Sequence, residues 1–198
     1  MKRWSVIIAA VVVVAAGLLA RPGHEAAAQG NGWITLFDGE TLSNWDLIGT
    51  ANWRLEGGAA VADSGNGFLV SKNDYGDFQL RVEFWIEAKT NSGVFIRCTD
   101  PNVVNGKNAY EVNIFDTRPD PKYATGAIVD VASSSQVIKA GGKWNLFEIT
   151  AKGPRFDVTL NGIKSVVSAN DSRHPKGRIA LQYGSGVVKF RKVEIKTM

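Results

Sequence analysis

Nine consecutive residues, Phe78-Gln79-Leu80-Arg81-Val82-Glu83-Phe84-Trp85-Ile86, alternate in character. Phe78, Leu80, Val82, Phe84 and Ile86 fall on one side of an extended chain, and Gln79, Arg81 and Glu83 on the other. A strand half buried in a sheet uses that period of two; a helix does not. The same signature recurs, and no ten-residue stretch after the N-terminal leader repeats at helical spacing. Further strands are expected at Trp53–Leu55, Ala59–Ala62, Gly93–Cys98, Ala109–Phe115, Gly126–Val131, Trp144–Ala151, Arg155–Leu160, Ile163–Val167, Arg178–Tyr183 and Val187–Ile195. Asn161-Gly162 is the clearest hairpin turn, because a type I′ turn needs positive φ at both central positions. About eleven short strands separated by Gly- and Asn-rich turns point to an all-β sandwich of two antiparallel sheets. The strand count favours a jelly roll over an immunoglobulin sandwich, whose Cys…Trp…Cys pattern is missing.

The 198-residue chain holds one such domain, expected over residues 29–198. Before it, Lys2 and Arg3 precede an apolar run from Val6 to Ala20, and Ala26-Ala27-Ala28 offers a small-residue cleavage site. Residues 1–28 therefore read as the signal peptide of an exported protein, periplasmic or secreted, with no stable membrane insertion after cleavage. The apolar run is short of the roughly 20 residues a spanning helix needs. Cleavage removes three cations and one anion from a formal charge of +4. The remainder is nearly balanced, with Lys and Arg scattered, so nucleic acid is not an expected partner. His174 is then the one histidine left, which excludes histidine pairs. Cys98 is the one cysteine, and it is expected to be buried and inert. His174, beside Pro175 in a polar loop, is expected to be exposed.

One strand pair carries unusual polarity. In Gly93–Cys98, strict alternation sets Phe95 and Arg97 on the face opposite Val94 and Ile96. In Ala109–Phe115 it sets Glu111 and Asn113 opposite Tyr110 and Val112. Gln182, alternating with Leu181 and Tyr183, can add to the same polar face. Aromatic rings, planar amides and an opposed charge pair on one sheet surface are what a sugar ring requires. The alternative is the solvated outer face that any antiparallel sheet has. A one-residue bulge would bring Asp116 beside Glu111 and Asn113. That spacing resembles the Glu-x-Asp-x-x-Glu strand motif of laminarinase-type retaining glycosidases, with Asn113 in place of the middle acid. Retaining hydrolysis needs two carboxyls about 5–5.5 Å apart. A calcium ion held by loop carboxylates and carbonyls is compatible with such a fold. Asp74, Asp77 and Asp130 show no diagnostic spacing for it, so no metal ligand is assigned and a divalent cation is left as an option.

Several segments in order resemble a known family. They are Gly32-Trp33-Ile34-Thr35-Leu36-Phe37-Asp38-Gly39-Glu40-Thr41-Leu42-Ser43-Asn44-Trp45, Asn91-Ser92-Gly93-Val94-Phe95-Ile96-Arg97, Tyr110-Glu111-Val112-Asn113-Ile114-Phe115-Asp116, Thr125-Gly126-Ala127-Ile128, Gly142-Lys143-Trp144-Asn145, Leu160-Asn161-Gly162 and Gly177-Arg178-Ile179-Ala180-Leu181-Gln182. The chain resembles the 3-keto-disaccharide hydrolase domain family, also described as 3-keto-α-glucoside 1,2-lyase/3-keto-2-hydroxy-glucal hydratase. The resemblance implies a concanavalin-like jelly roll, export from a bacterial cell, and cleavage of 3-keto glycosides by elimination at C1–C2, hydration, or both. Where the family shows Glu-Val-Gln, this chain has Glu111-Val112-Asn113. Where it often has a histidine after Leu-Gln, Tyr183-Gly184 follow Gln182. A ketone at C3 acidifies the C2 hydrogen, so the chemistry needs a carboxylate base and an electropositive group near the enolate. On this reading Glu111 is the base, Arg97 the enolate stabiliser and Asp116 the group at the leaving oxygen. Asn113, Gln182, Phe95 and Tyr183 bind the sugar. Two further readings stay open: a non-catalytic sugar-binding module, and a retaining glycosidase acting on unoxidised glucans.

Overall fold

A computed structural model describes residues 32–198. The leader expected over residues 1–28 lies outside the described residues. Thirteen strands and one short turn follow: β1 (Ile34–Phe37), β2 (Trp45–Gly49), β3 (Arg54–Glu56), β4 (Ala59–Ala62), β5 (Gly67–Ser71), β6 (Phe78–Ile86), β7 (Ser92–Cys98), β8 (Tyr110–Ile114), a 3-10 turn (Pro121–Tyr123), β9 (Trp144–Lys152), β10 (Arg155–Leu160), β11 (Ile163–Asn170), β12 (Arg178–Tyr183) and β13 (Val188–Thr197). One sheet runs β11-β10-β9-β6-β13-β4-β3, with β1 also paired to β13. The other runs β2-β5-β12-β7-β8, and every named pairing is antiparallel. This is a two-sheet jelly-roll sandwich. Among the described residues, no helix is long and apolar enough to cross a membrane.

The alternation in β6 works as expected. Phe78, Leu80, Val82, Phe84 and Ile86 are fully buried, facing Val94, Ile96, Tyr110, Val112, Ile179 and Leu181 from the second sheet in one core. At roughly 2 kcal/mol for each large apolar side chain taken from water, this inner layer is the main favourable contribution to folding. Trp33, Trp45 and Trp53 are buried, and the Trp45 indole donates to the Leu36 carbonyl at 3.0 Å. Trp144 stays exposed beneath the Arg191 guanidinium.

Three strands had no alternation to announce them. The clearest is β5, whose Phe68-Leu69-Val70 run is apolar on both faces. Leu69 joins the inner core, while Phe68 and Val70 pack on the outer face of the five-stranded sheet with Ile48, Phe95, Cys98, Val104, Ala109 and Ala180. A strand covered on both sides loses the polar–apolar rhythm. Conversely, Gly126–Val131 is not a strand. Gly126 (φ +89°) and Asp130 (φ +59°) break the extended run, and Ile128 alone bridges to Val112. Cys98 is buried and unpaired, as expected.

Candidate active site

The outer face of the five-stranded sheet is set by register. Glu111 on β8 lies opposite Phe95 on β7, Phe95 opposite Ala180 on β12, and Ala180 opposite Val70 on β5. One step along, Asn113 lies opposite Gly93, and Gln182 opposite Phe68. The same register brings Gln182 level with Gly93, where the Ser92 hydroxyl donates to the Gln182 carbonyl at 2.7 Å. Glu111, Asn113, Gln182 and Phe95 are thus on one surface.

Gly93 matters because it has no side chain. A Cβ there would fall 2.9 Å from Glu111 Oε1 and 3.1 Å from its Cγ. The Glu111 side chain therefore lies across the bare backbone of β7, beside the Phe95 ring. Burial above all, helped by the negative charge of Asp130 and opposed by the positive charge of Arg118, pushes its carboxyl up to about 7. A carboxyl poised there has the proton affinity that a general base needs near neutral pH. Beside it, the Gln182 Oε1 is buried without a hydrogen-bond partner. A buried acceptor left unmade is costly in a folded protein, and a ligand hydroxyl would satisfy it.

The other assignments change. Arg97 does not share the Glu111 face. A bulge in β7 sets two residues against one on β12, and Arg97 itself takes φ +52°. This turns its side chain away from the outer surface into a site where it is 1% exposed. There its guanidinium donates to the carbonyls of Gly76 (2.9 Å), Gly153 (2.7 Å) and His174 (3.4 Å) and to Asp77 (3.0 Å). It ties loops together, away from the face that carries Glu111. Asp116 is 5% exposed and equally occupied: Oδ1 accepts from the Thr125 hydroxyl at 2.7 Å, and Oδ2 from the amides of Ala140 and Gly141 at 2.8 Å each. Its carbonyl accepts from Lys139. The bulge that would have brought it beside Glu111 is absent from β8, so the paired-carboxyl geometry of a retaining glycosidase through Asp116 is not formed.

Tyr183 points into the inner core, its hydroxyl donating to the Gly186 carbonyl at 3.1 Å, and is no substrate contact. Phe95 is on the right face but 2% exposed under Val104 and Ala109, edge-on to Phe68 at 5.4 Å. It walls the site without offering an open stacking surface. Asn113 is also buried, with its amide donating to the Tyr123 carbonyl. His174 is buried against Tyr110 rather than exposed, and burial holds its imidazole below the usual range.

The alternation pattern gave no sign of Arg118, the cation beside Glu111. It sits in an exposed loop, over the rings of Phe115 and Tyr123 at 5.3 Å each. The Thr117-Arg118-Pro119-Asp120-Pro121 stretch has no period, so only a three-dimensional neighbour reveals it. The three aspartates weighed for calcium are scattered over different partners: Asp74 pairs with Arg178, Asp77 with Arg97, and Asp130 stands near Glu111. Among the described residues no group of three or more metal-ligating side chains is found.

The fold is a two-sheet sandwich that carries a half-buried, near-neutral carboxyl and an unpaired amide oxygen on one sheet face, and the family match makes it a carbohydrate-active β-sandwich protein. The chain belongs to the 3-keto-alpha-glucoside-1,2-lyase-like domain family, whose profile matches residues 32–196. It is 24% identical to a 3-keto-disaccharide hydrolase of Bacteroides thetaiotaomicron, over 60% of this chain and 52% of that protein. The chain thus spans about half the length of that curated relative. A solved structure from Parabacteroides distasonis, of a protein proposed to be a glycosyl hydrolase, is 27% identical with a TM-score of 0.69, covering 84% of this chain and 99% of that one. A Bacillus subtilis protein with a galectin-like fold matches with a TM-score of 0.61 at 10% identity, covering 79% and 90%. That last likeness concerns the fold alone, and places the sandwich among concanavalin-like folds.

Proposed function

We propose that this protein is an exported enzyme that cleaves 3-keto glycosides by elimination followed by hydration. Glu111 removes the proton from C2, and the electrons of that C–H bond become the enolate of the C3 ketone. The enolate reforms the ketone as the C1–O bond breaks, and the aglycone leaves as its alcohol after taking a proton. Water then adds at C1 while the proton returns to C2, so the net reaction consumes one water. Arg118 is the cation available to the enolate oxygen in place of Arg97, and Gln182 accepts a hydrogen bond from a ring hydroxyl.

The observation that carries this reading is the Glu111 carboxyl laid across Gly93 and pushed up to about 7. An ordinary surface carboxylate would be a weaker base by more than two orders of magnitude in proton affinity. Family membership supplies the class of sugar. The test is incubation with a 3-keto disaccharide beside its unoxidised parent, read by mass spectrometry. The protein is expected to release monosaccharide from the keto sugar alone. Glu111→Gln is expected to lower turnover by at least about 100-fold, the lower range for loss of a positioned base. Saturable binding without product would instead leave a non-catalytic sugar-binding module. Equal turnover by the variant would remove Glu111 from the base role.

A further inference from the structure

A cleft of about 230 Å³ lies beside the outer edge of β8, where residues 126–129 hydrogen-bond to that strand, and is lined by Lys122, Ile128, Asp130, Val131, Ala132 and Ser133. We infer that this cleft is the subsite for the leaving group, shaped for one neutral hexose ring, and that Ser133 at its rim sets which leaving groups fit. The inference rests on the proposed reaction and names the part of the substrate that the base does not touch.

Position comes first. The Val129 amide donates to the Glu111 carbonyl at 2.9 Å, so the wall of the cleft is stitched to the residue that carries the base. The opposite wall is the Pro121–Tyr123 turn, whose Tyr123 carbonyl holds the Asn113 amide on the Glu111 face. Asp130 lines the cleft and its charge acts on the Glu111 carboxyl, so a ring bound between these walls lies on the side of Glu111 away from Gly93.

The cleft is also a built feature rather than a gap between mobile loops. Ile128 and Ala132 exchange backbone hydrogen bonds at 2.9 and 2.8 Å, closing a tight turn with Asp130 at φ +59°. The Ser134 amide donates to the Pro121 carbonyl at 3.2 Å, fastening one wall to the other. Asp120 accepts from the Lys122 amide at 3.0 Å and fixes that turn.

Size and chemistry then select the occupant. The volume leaves room for one hydroxylated six-membered ring and is below the roughly 300 Å³ of a typical drug-sized pocket. Val131 and Ala132, both half-buried, offer apolar surface to ring C–H groups. Asp130, Lys122 and Ser133 offer an acceptor, a donor and a hydroxyl to the equatorial oxygens. Lys122 and Asp130 cancel in charge, so the cleft favours a neutral sugar over a sugar phosphate or uronate.

The experiment compares methyl 3-keto-glucoside with a 3-keto-glucosyl-hexose disaccharide, in the full protein and in Ser133→Trp. Ser133 is exposed and outside the core, so the indole adds bulk at the rim. The ratio of kcat/KM for the disaccharide to that for the methyl glycoside is expected to fall at least tenfold. A ratio unchanged within twofold overturns the subsite while leaving the base assignment standing. Calorimetry supplies a second readout, with the disaccharide titrated into Glu111→Gln with and without Ser133→Trp. Weaker binding only with the tryptophan supports the subsite even if turnover of the methyl glycoside is too slow to measure. Equal binding by both, or no binding by either, overturns it. A wild-type protein inert toward both keto glycosides removes the proposed reaction, and the calorimetric comparison still decides the cleft.

Discussion

Glu111 derives its character from three neighbours, and each can be changed separately. Burial over Gly93 beside Phe95 disfavours the carboxylate, Asp130 adds like charge, and Arg118 opposes both. A base acts only when deprotonated, so kcat/KM for a keto glycoside should rise with pH through an apparent pKa near 7. Asp130→Asn removes the like charge and should move that acid limb to lower pH. Arg118→Met removes the opposing cation and should move it to higher pH, besides lowering the plateau if the guanidinium also steadies the enolate. Opposite displacements of the two profiles are the expected outcome. Shifts in the same direction would mean that the residues act through the fold and not through their charge. Asp130 also lines the proposed leaving-group cleft, so its variant is read from the position of the limb and not from the rate.

At the scale of the element, β7 does two jobs at its two ends. The Ser92–Phe95 half presents the bare Gly93 on which Glu111 rests. The bulge at Ile96–Arg97 then turns the chain, so that Arg97 satisfies three backbone carbonyls at the end of the sandwich. Arg97→Met leaves those carbonyls and Asp77 without their donor. A loss of about 3 kcal/mol is expected for breaking a buried, hydrogen-bonded charge, or a fall in Tm of roughly 10 °C for a domain of this size. The folded fraction should keep its kcat on a keto glycoside. Loss of kcat with Tm preserved would return Arg97 to the active site.

The same strand shows what could be read in advance. Period-two alternation predicted β6, β9, β10 and β12 to within a residue or so, and correctly put Glu111, Asn113, Phe95 and Gln182 on one face. It failed for Arg97 because a bulge costs only one residue in the register and leaves no mark in the polarity pattern. Asp116 failed because its partners, Thr125, Ala140 and Gly141, come from a long loop whose course no periodicity describes. Tyr183 failed for a simpler reason: it is one residue beyond Gln182, and neighbours on a strand face opposite ways. Arg118 and Asp130 became visible only through the charge they bring to Glu111.

For the molecule as a whole, the site opposes the fold that holds it. The sandwich buries an apolar inner layer and a second apolar patch on the outer face of the smaller sheet, and Glu111 lies beside that second patch. Its carboxyl titrates near 7 in the folded protein against 4.5 for the ordinary group, so the native state holds a proton that the unfolded chain gives up. Stability from this group is therefore fully present below pH 4.5 and is lost as pH rises through about 7. The loss should approach about 3 kcal/mol at most, from 1.36 kcal/mol per pKa unit. His174 works in the opposite direction: burial lowers its pKa, so its contribution is present at neutral pH and is lost on acidification. The two partly cancel in the wild-type profile, but the difference between wild type and Glu111→Gln isolates the carboxyl. In denaturant titrations that difference should be small at pH 4 and favour the glutamine increasingly up to pH 8, where the neutral amide avoids burying a charge. A difference independent of pH would mean that Glu111 ionises like a solvated carboxylate, and a carboxylate of that kind would lack the proton affinity the proposed elimination requires.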